Sequence, residues 1–209
     1  SPVKEVQFCG YGTLATSFII FRNHPDLTEI TFHVVSLGDF YIQKLQDGFI
    51  SMNLPVQIPE RLVAIPELLK EALNQECFEV FINPQAYIVI YPSVAAILKE
   101  QPDFEKIKQL GGRRVAITAK NDVFAEKFKH IDIVSRYFTP SMGINEDPVT
   151  GSLHTSLIPL WQPIIQKPSI RAYQASARGG VMSGKLLEND RIERVGQCKL
   201  FMQAQLYID

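Results

Sequence analysis

The chain has 209 residues, 46% of them hydrophobic and 21% charged, with a formal net charge of -1 at pH 7. This is the composition of an ordinary globular chain with room for one large domain or two small ones, and it excludes disorder. The 21 basic and 22 acidic residues are interspersed, so no basic stripe is offered to nucleic acid.

Residues 1–20 carry Lys4 and Glu5 and then a Gly-rich turn, which is unlike the basic start and small-residue cleavage site of a secretory leader. From Val6 to Phe21 there is no charged residue, and Cys9-Gly10-Tyr11-Gly12-Thr13 opens that stretch. The pattern predicts a helix over 9–21 that is apolar all round, and such a helix must be enclosed on every side. Strands are predicted over 30–35, 41–44, 49–52, 78–82 and 86–91, from β-branched and aromatic runs bounded by Gly, Asn, Asp or Pro. Asp47 and Gly48 mark a hairpin turn, because both tolerate positive φ. Short surface helices are predicted over 66–74, 93–100 and 104–110. The longest apolar run, 86–98, is broken by Tyr91-Pro92-Ser93 and is shorter than the roughly 18 residues of a membrane span.

Further strands are predicted over 114–118, 131–138, 170–175, 182–187 and 199–208, with a turn at Glu188-Asn189-Asp190. A second uncharged stretch, Pro148 to Gln166, opens with Thr150-Gly151-Ser152-Leu153-His154 and predicts a second core helix, which Pro159 and Pro163 should kink or end near Trp161. Cys9, Cys77 and Cys198 are odd in number and far apart. They predict no disulfide framework, structural thiols, and a reducing cytoplasm. His24, His33, His130 and His154 lack any short ligand spacing, so no metal site is expected.

The two helix entrances lie roughly 141 positions apart, and Ile30 pairs with Ile170, Ser36 with Ser176, Lys44 with Lys185 and Asp47 with Asn189 at nearly the same offset. An internal duplication follows. A helix N-terminus presents unpaired N–H groups and a positive dipole end, so two of them facing each other would clamp a small anion. The second half has about 53 residues before its Thr139-Pro140 pair, whereas only Ser1 stands in the first half's Ser-Pro pair before Pro2. The first half is therefore expected to lack about 50 opening residues, leaving its apolar helix and several sheet edges facing water.

The run Ser135-Arg136-Tyr137-Phe138-Thr139-Pro140, then Gly143-Ile144-Asn145-Glu146-Asp147-Pro148-Val149-Thr150-Gly151-Ser152, His154 and Pro159-Leu160-Trp161, resembles the PhzF-like isomerase family of phenazine biosynthesis. Pro2-Val3-Lys4-Glu5-Val6, Gln101-Pro102-Asp103-Phe104, Tyr173-Gln174-Ala175-Ser176 and Arg178-Gly179-Gly180 extend the likeness along the chain, after the family's first 50 to 60 residues. The resemblance implies an α+β, diaminopimelate-epimerase-like fold of two similar lobes, each a curled, barrel-like sheet around a central helix. The lobes are expected at 1–84, incomplete, and 85–209. It also implies cofactor-free isomerisation of a small carboxylated metabolite by proton transfer in the cleft between lobes. The best-known member reaction moves a proton on a dihydro-hydroxyanthranilate, and the glutamate that carries it belongs to a family segment preceding the matched region.

On this reading Asp147 orients the substrate or passes a proton, while Tyr11 stands where the family usually has histidine. A phenol is a hydrogen-bond donor but a poor proton acceptor at neutral pH. Gly10, Gly12 and Thr13 at the first entrance, Gly151 and Ser152 at the second, and Arg178 are the expected substrate contacts. Glu146 reads as a solvated neighbour and Cys9 as a buried structural thiol, since its counterpart Thr150 cannot act as a second thiol base. His154 reads either as a cleft residue or as a satisfied helix histidine. Two other readings stay open: a catalytically silent anion-binding protein, and a fragment, starting at Ser1, completed by a partner, an N-terminal segment or a homodimer. No nucleic-acid or membrane partner is expected.

Overall fold

The structure is a computed structural model and describes residues 8–76, 79–123 and 125–205. The Pro2 to Val6 run, Cys77, Phe78 and the end of the strand expected over 199–208 lie outside the described residues. In chain order the elements are α1 (Gly10–Asn23), β1 (Glu29–Val34), β2 (Gly38–Lys44), β3 (Phe49–Pro55), β4 (Glu60–Arg61), α2 (Glu67–Glu71), β5 (Glu79–Ile82), β6 (Ala86–Ile90), α3 (Val94–Lys99), α4 (Phe104–Lys108), β7 (Arg114–Lys120), β8 (Ile133–Phe138), α5 (Gly151–Ile165), β9 (Ile170–Gln174), β10 (Gly180–Leu187) and β11 (Arg191–Gln197).

The unit helix–strand–strand–strand occurs twice, as α1–β1–β2–β3 and α5–β9–β10–β11, with corresponding elements opening 141 or 142 residues apart. The turns match as well: Asp47 and Gly48 take φ 58 and 75, and Asn189 and Asp190 take φ 58 and 54. These are the left-handed values that tight hairpins require and that Gly, Asn and Asp tolerate. The two units join through their last strands, β3 pairing antiparallel with β11 from Phe49↔Gln197 to Pro55↔Arg191.

All strands form one mixed α+β sheet in the order β1-β2-β3-β11-β10-β9-β8-β7-β6-β5-β4, parallel at β6·β7 and β8·β9. The order is linear, with β1 and β4 at its two edges, so the sheet is open rather than closed into barrels. The middle strands are buried on both faces. Ile88, Ala116 and Ile133 join α5's Leu153, Leu157, Ile158 and Trp161 in one core, while their neighbours Val89, Val115, Ile117 and Val134 pack under α2, α3 and α4 at Leu69, Ile97 and Ile107. Two-sided burial is why these segments read as continuous apolar runs, and each buried Val, Leu or Ile contributes about 1.5–3 kcal/mol before chain entropy.

Three expectations need correction. Enclosure on every side holds for the first eight residues of α5 but not for α1, which buries only Gly10, Ser17 and Phe21 and exposes Tyr11 and Ile19. Only the α1 stripe with partly buried Leu14 and Phe18 meets the core; the small residues Gly12, Ala15 and Thr16 face outward. Pro159 and Pro163 do not end α5, which runs to Ile165 and stops at Gln166 with φ 58. The Thr155 carbonyl, deprived by Pro159 of its usual N–H partner, accepts the Gln57 amide at 3.1 Å, and Ser156 Oγ donates to Gln57 O at 2.6 Å. The strand expected over 199–208 is absent from described residues 199–205. Its place is taken by β11, which starts directly after the Asn189-Asp190 turn because Leu187 pairs with Arg191. Arg191, Glu193 and Arg194 gave that segment a polar surface-like sequence. A further short strand, β4, was also missed.

Candidate active site

The helix entrances meet. A Cβ on Gly10 would lie 3.0 Å from Gly151 Cα, and one on Gly151 would lie 3.0 Å from Gly10 Cα. Both are first helical residues, so the positive ends of α1 and α5 converge, together with first-turn N–H groups that no intrahelical carbonyl can satisfy. Neither first turn carries an acidic residue to offset that field.

The junction opens on a cavity of about 520 Å³, a size suited to a small metabolite. One wall is Cys9, Gly10 and Tyr11; another is Asp147, Thr150, Gly151 and Ser152; a third is Gly111 to Arg114 with Tyr137. Gly12, Thr13 and Arg178 are outside this lining. The Gly12 amide is turned to Cys9 Sγ at 3.4 Å, and the Thr13 amide and hydroxyl to Cys9 O at 3.0 and 3.1 Å. Arg178 is exposed beyond the rim, though its charge reaches the Tyr11 phenol.

Asp147 is held by the turn that leads into α5. Its backbone N–H donates to Tyr137 O at 2.9 Å, and the Thr150 hydroxyl donates to its Oδ2 at 2.5 Å. Gln174, fully buried on β9, locks the same turn by accepting the Thr150 amide at 2.7 Å and donating to Asp147 O at 2.7 Å. Thr150 thus gives no side-chain cap to α5, whose first amides have no intrahelical acceptor. Burial raises the Asp147 carboxyl above its ordinary value, against the opposing pull of the Thr150 hydroxyl and Arg114.

Two phenols flank this acid. Tyr11 is exposed as a residue, but the half-buried surroundings of its phenol, and then the Asp147 charge, push it above its ordinary value, while Val149 main chain, Arg194 and Arg178 oppose the shift. Burial pushes Tyr137 up to about 12 against the pull of Arg114. Both are hydrogen-bond donors at neutral pH, not bases.

Other expected residues fall differently. Cys9 is exposed and caps α1 with its sulfur rather than lying buried; Cys198 is only partly buried, and burial raises its thiol. Glu146 is not solvated but paired with Arg136 through two bonds of 2.8 and 2.9 Å. His154 is 1% exposed, with Nδ1 on Thr150 O at 2.8 Å, and does not line the cavity. Sequence reasoning missed Arg113, Arg114 and Tyr137 on the third wall and Arg194 behind the entrances. Gly111-Gly112-Arg113-Arg114 was legible as a turn before a strand; its meeting with residues 9–11 was not. Among the described residues no group of three His, Cys, Asp or Glu gathers as metal ligands, and no helix is long and apolar enough to cross a membrane.

Comparison with known proteins accords with this architecture. The family model described as phenazine biosynthesis-like protein, PhzC-PhzF, matches residues 1–203. A Pseudomonas aeruginosa protein named as an uncharacterized isomerase is 35% identical over 211 residues, covering 100% of this chain and 76% of its relative. Another so named, from Halalkalibacterium halodurans, is 32% identical over 210 residues, again covering 100% and 76%. The crystal structure of a PhzF-family phenazine biosynthesis protein from Enterococcus faecalis superposes with a TM-score of 0.84 at 30% identity, covering 100% of this chain and 76% of that one. A predicted epimerase from Pseudomonas aeruginosa, at 14% identity and TM-score 0.69 over 99% of this chain and 77% of that one, shares the fold.

Proposed function

The chain belongs to the phenazine biosynthesis-like (PhzC-PhzF) family, and from that premise we propose that it serves an isomerase reaction, moving a proton on a small carboxylated metabolite without metal or organic cofactor. The observation that carries the reading is the backbone contact of Gly10 with Gly151 at the edge of a cavity that also holds Asp147. The substrate carboxylate sits against the first-turn amides of α1 and α5, where the helix dipoles favour negative charge. Ser152 and Tyr11 add hydroxyl donors. Asp147, with Oδ2 engaged by Thr150, presents Oδ1 to the substrate and exchanges a proton with it, so that a C–H bond is broken at one carbon, its electron pair shifts a double bond of the substrate, and a C–H bond is formed at another carbon. On this reading the two lobes, 1–84 and 85–209, each bring one helix entrance to the site between them.

In deuterated buffer a substrate should take up label at carbon. Failure of label uptake across a panel of cyclic and amino carboxylates that bind would contradict the reading. A second reading, a silent binder of small carboxylates, is favoured by one feature: opposite Asp147 stands a phenol held protonated, which supplies no base. Calorimetric binding without label uptake selects it. Unchanged affinity in both Asp147→Ala and Ser152→Ala would contradict the site in either reading.

A further inference from the structure

Arg194 lies on β11, paired across the sheet with Met52 and Gly184, and is 5% exposed. Among the described residues it has no acidic partner. Its Nη1 donates to Gly151 O at 2.7 Å, its Nη2 faces the weakly accepting sulfur of Met182, and its Nε has no acceptor among the described residues. Sealing a guanidinium away from water without a counter-anion is costly unless something else supplies the negative charge. Its position indicates what. A Cβ on Gly151 would sit 3.0 Å from Arg194 Nη1, and one on Gly10 would sit 3.6 Å from it. The charge therefore lies directly behind the meeting point of the two helix entrances, one residue's depth from the cavity it does not itself line.

We propose that Arg194 is a positioning residue that makes the cavity selective for an anionic over a neutral ligand, acting through the peptide that joins Gly151 to Ser152. The inference rests on the carboxylate-binding reading above. The Gly151 carbonyl and the Ser152 N–H belong to one peptide unit, so a cation bonded to the oxygen draws electron density from the nitrogen and makes its hydrogen a stronger donor. Ser152 is the second residue of α5, where an N–H has no intrahelical acceptor, and it lines the cavity. The guanidinium acts as the counter-charge of a bound carboxylate at second hand. Its field is felt at both entrances: after burial it is the next cause holding the His154 imidazole down at about 3, and it opposes the rise of the Tyr11 phenol. Burial lowers Arg194 to about 10, which leaves it charged at neutral pH.

The test compares benzoate with its uncharged amide, benzamide, by calorimetric titration of the wild type, R194K and R194M, each first shown to unfold cooperatively. R194M should lose about tenfold in benzoate affinity through the missing charge and less than about twofold for benzamide, with R194K recovering most of the loss. In ligand-free R194M the Ser152 amide proton resonance should move upfield of its position in wild type and R194K. A role confined to packing would weaken both ligands alike. Equal binding of benzoate by wild type and R194M, with benzoate still shifting the Gly10 and Ser152 amides, overturns the inference and leaves the cavity reading standing. Benzoate that shifts neither amide in the wild type overturns the cavity reading and this inference with it. Should R194M not fold, R194Q, which keeps an N–H donor without the charge, carries the same comparison.

Discussion

Gly10 and Gly151 touch backbone to backbone, each leaving only 3.0 Å between the other's Cα and the place where a side chain would begin. In a helix, replacing glycine by alanine ordinarily stabilises by about 0.5–1 kcal/mol. Here the neighbour is main chain and cannot turn aside. Gly10→Ala and Gly151→Ala should each destabilise by about 1–3 kcal/mol through overpacking, read as a lower urea midpoint with unchanged slope. Gly151→Ala should be the worse of the two, because its Cβ also meets Arg194 at 3.0 Å.

Asp147→Asn keeps an acceptor for the Thr150 hydroxyl and removes the exchangeable proton. Label uptake in deuterated buffer should fall by about a hundredfold or more, with substrate affinity changed far less. Stability should respond in the opposite sense. The Asp147 carboxyl is raised in the folded state, so its contribution is present at low pH and is lost as pH rises through its folded value. The asparagine variant, free of that loss, should show a higher thermal midpoint than wild type at pH 7.

Tyr11 is held protonated by burial and by Asp147. Ultraviolet difference titration of wild type against Tyr11→Phe should show no phenolate from this residue up to about pH 11, past the ordinary tyrosine value of about 10. In Asp147→Asn, where the second cause is gone, its ionisation should move to lower pH. Ionisation of Tyr11 near pH 10 in the wild type would show that neither burial nor the carboxylate acts on it.

His154 is fully buried and its imidazole is pushed down to about 3, first by burial and then by Arg194. A depressed histidine binds its proton in the unfolded chain but not in the folded one. Its effect on stability is therefore nil above the unfolded value of about 6.5 and grows as pH falls toward the folded value. Over that window stability should drop by up to about 1.4 kcal/mol per pH unit from this group. Urea unfolding between pH 7 and 5 measures the slope, and His154→Asn, which can still donate to Thr150 O, should flatten it.

The helices at 9–21 and 148–166, nine of the strands and the duplicated unit were legible because they rest on local physics: uncharged stretches, β-branched runs, and turn residues at positive φ. What was missed needed partners from far along the chain. Proline at 159 looked like a helix end because its lost bond is replaced by Gln57, about a hundred residues earlier. β11 was not legible because Arg191, Glu193 and Arg194 break its apolar pattern, and the partner of Arg194, the Gly151 carbonyl, is announced by no pattern in its own strand. Glu146 looked solvated until β8 brought Arg136 beside it.

The sequence by itself determined two helix entrances at a constant offset and the family, since glycines, uncharged stretches and a motif are properties of consecutive residues. Tertiary structure decided that those entrances touch, that Gly111 to Arg114 and Tyr137 close a cavity around them, and that an arginine with no acidic partner among the described residues stands behind. The reason is physical: burial and electrostatic field depend on what lies within a few ångströms in space, and the strands that supply those neighbours are joined by sheet register, not by adjacency along the chain.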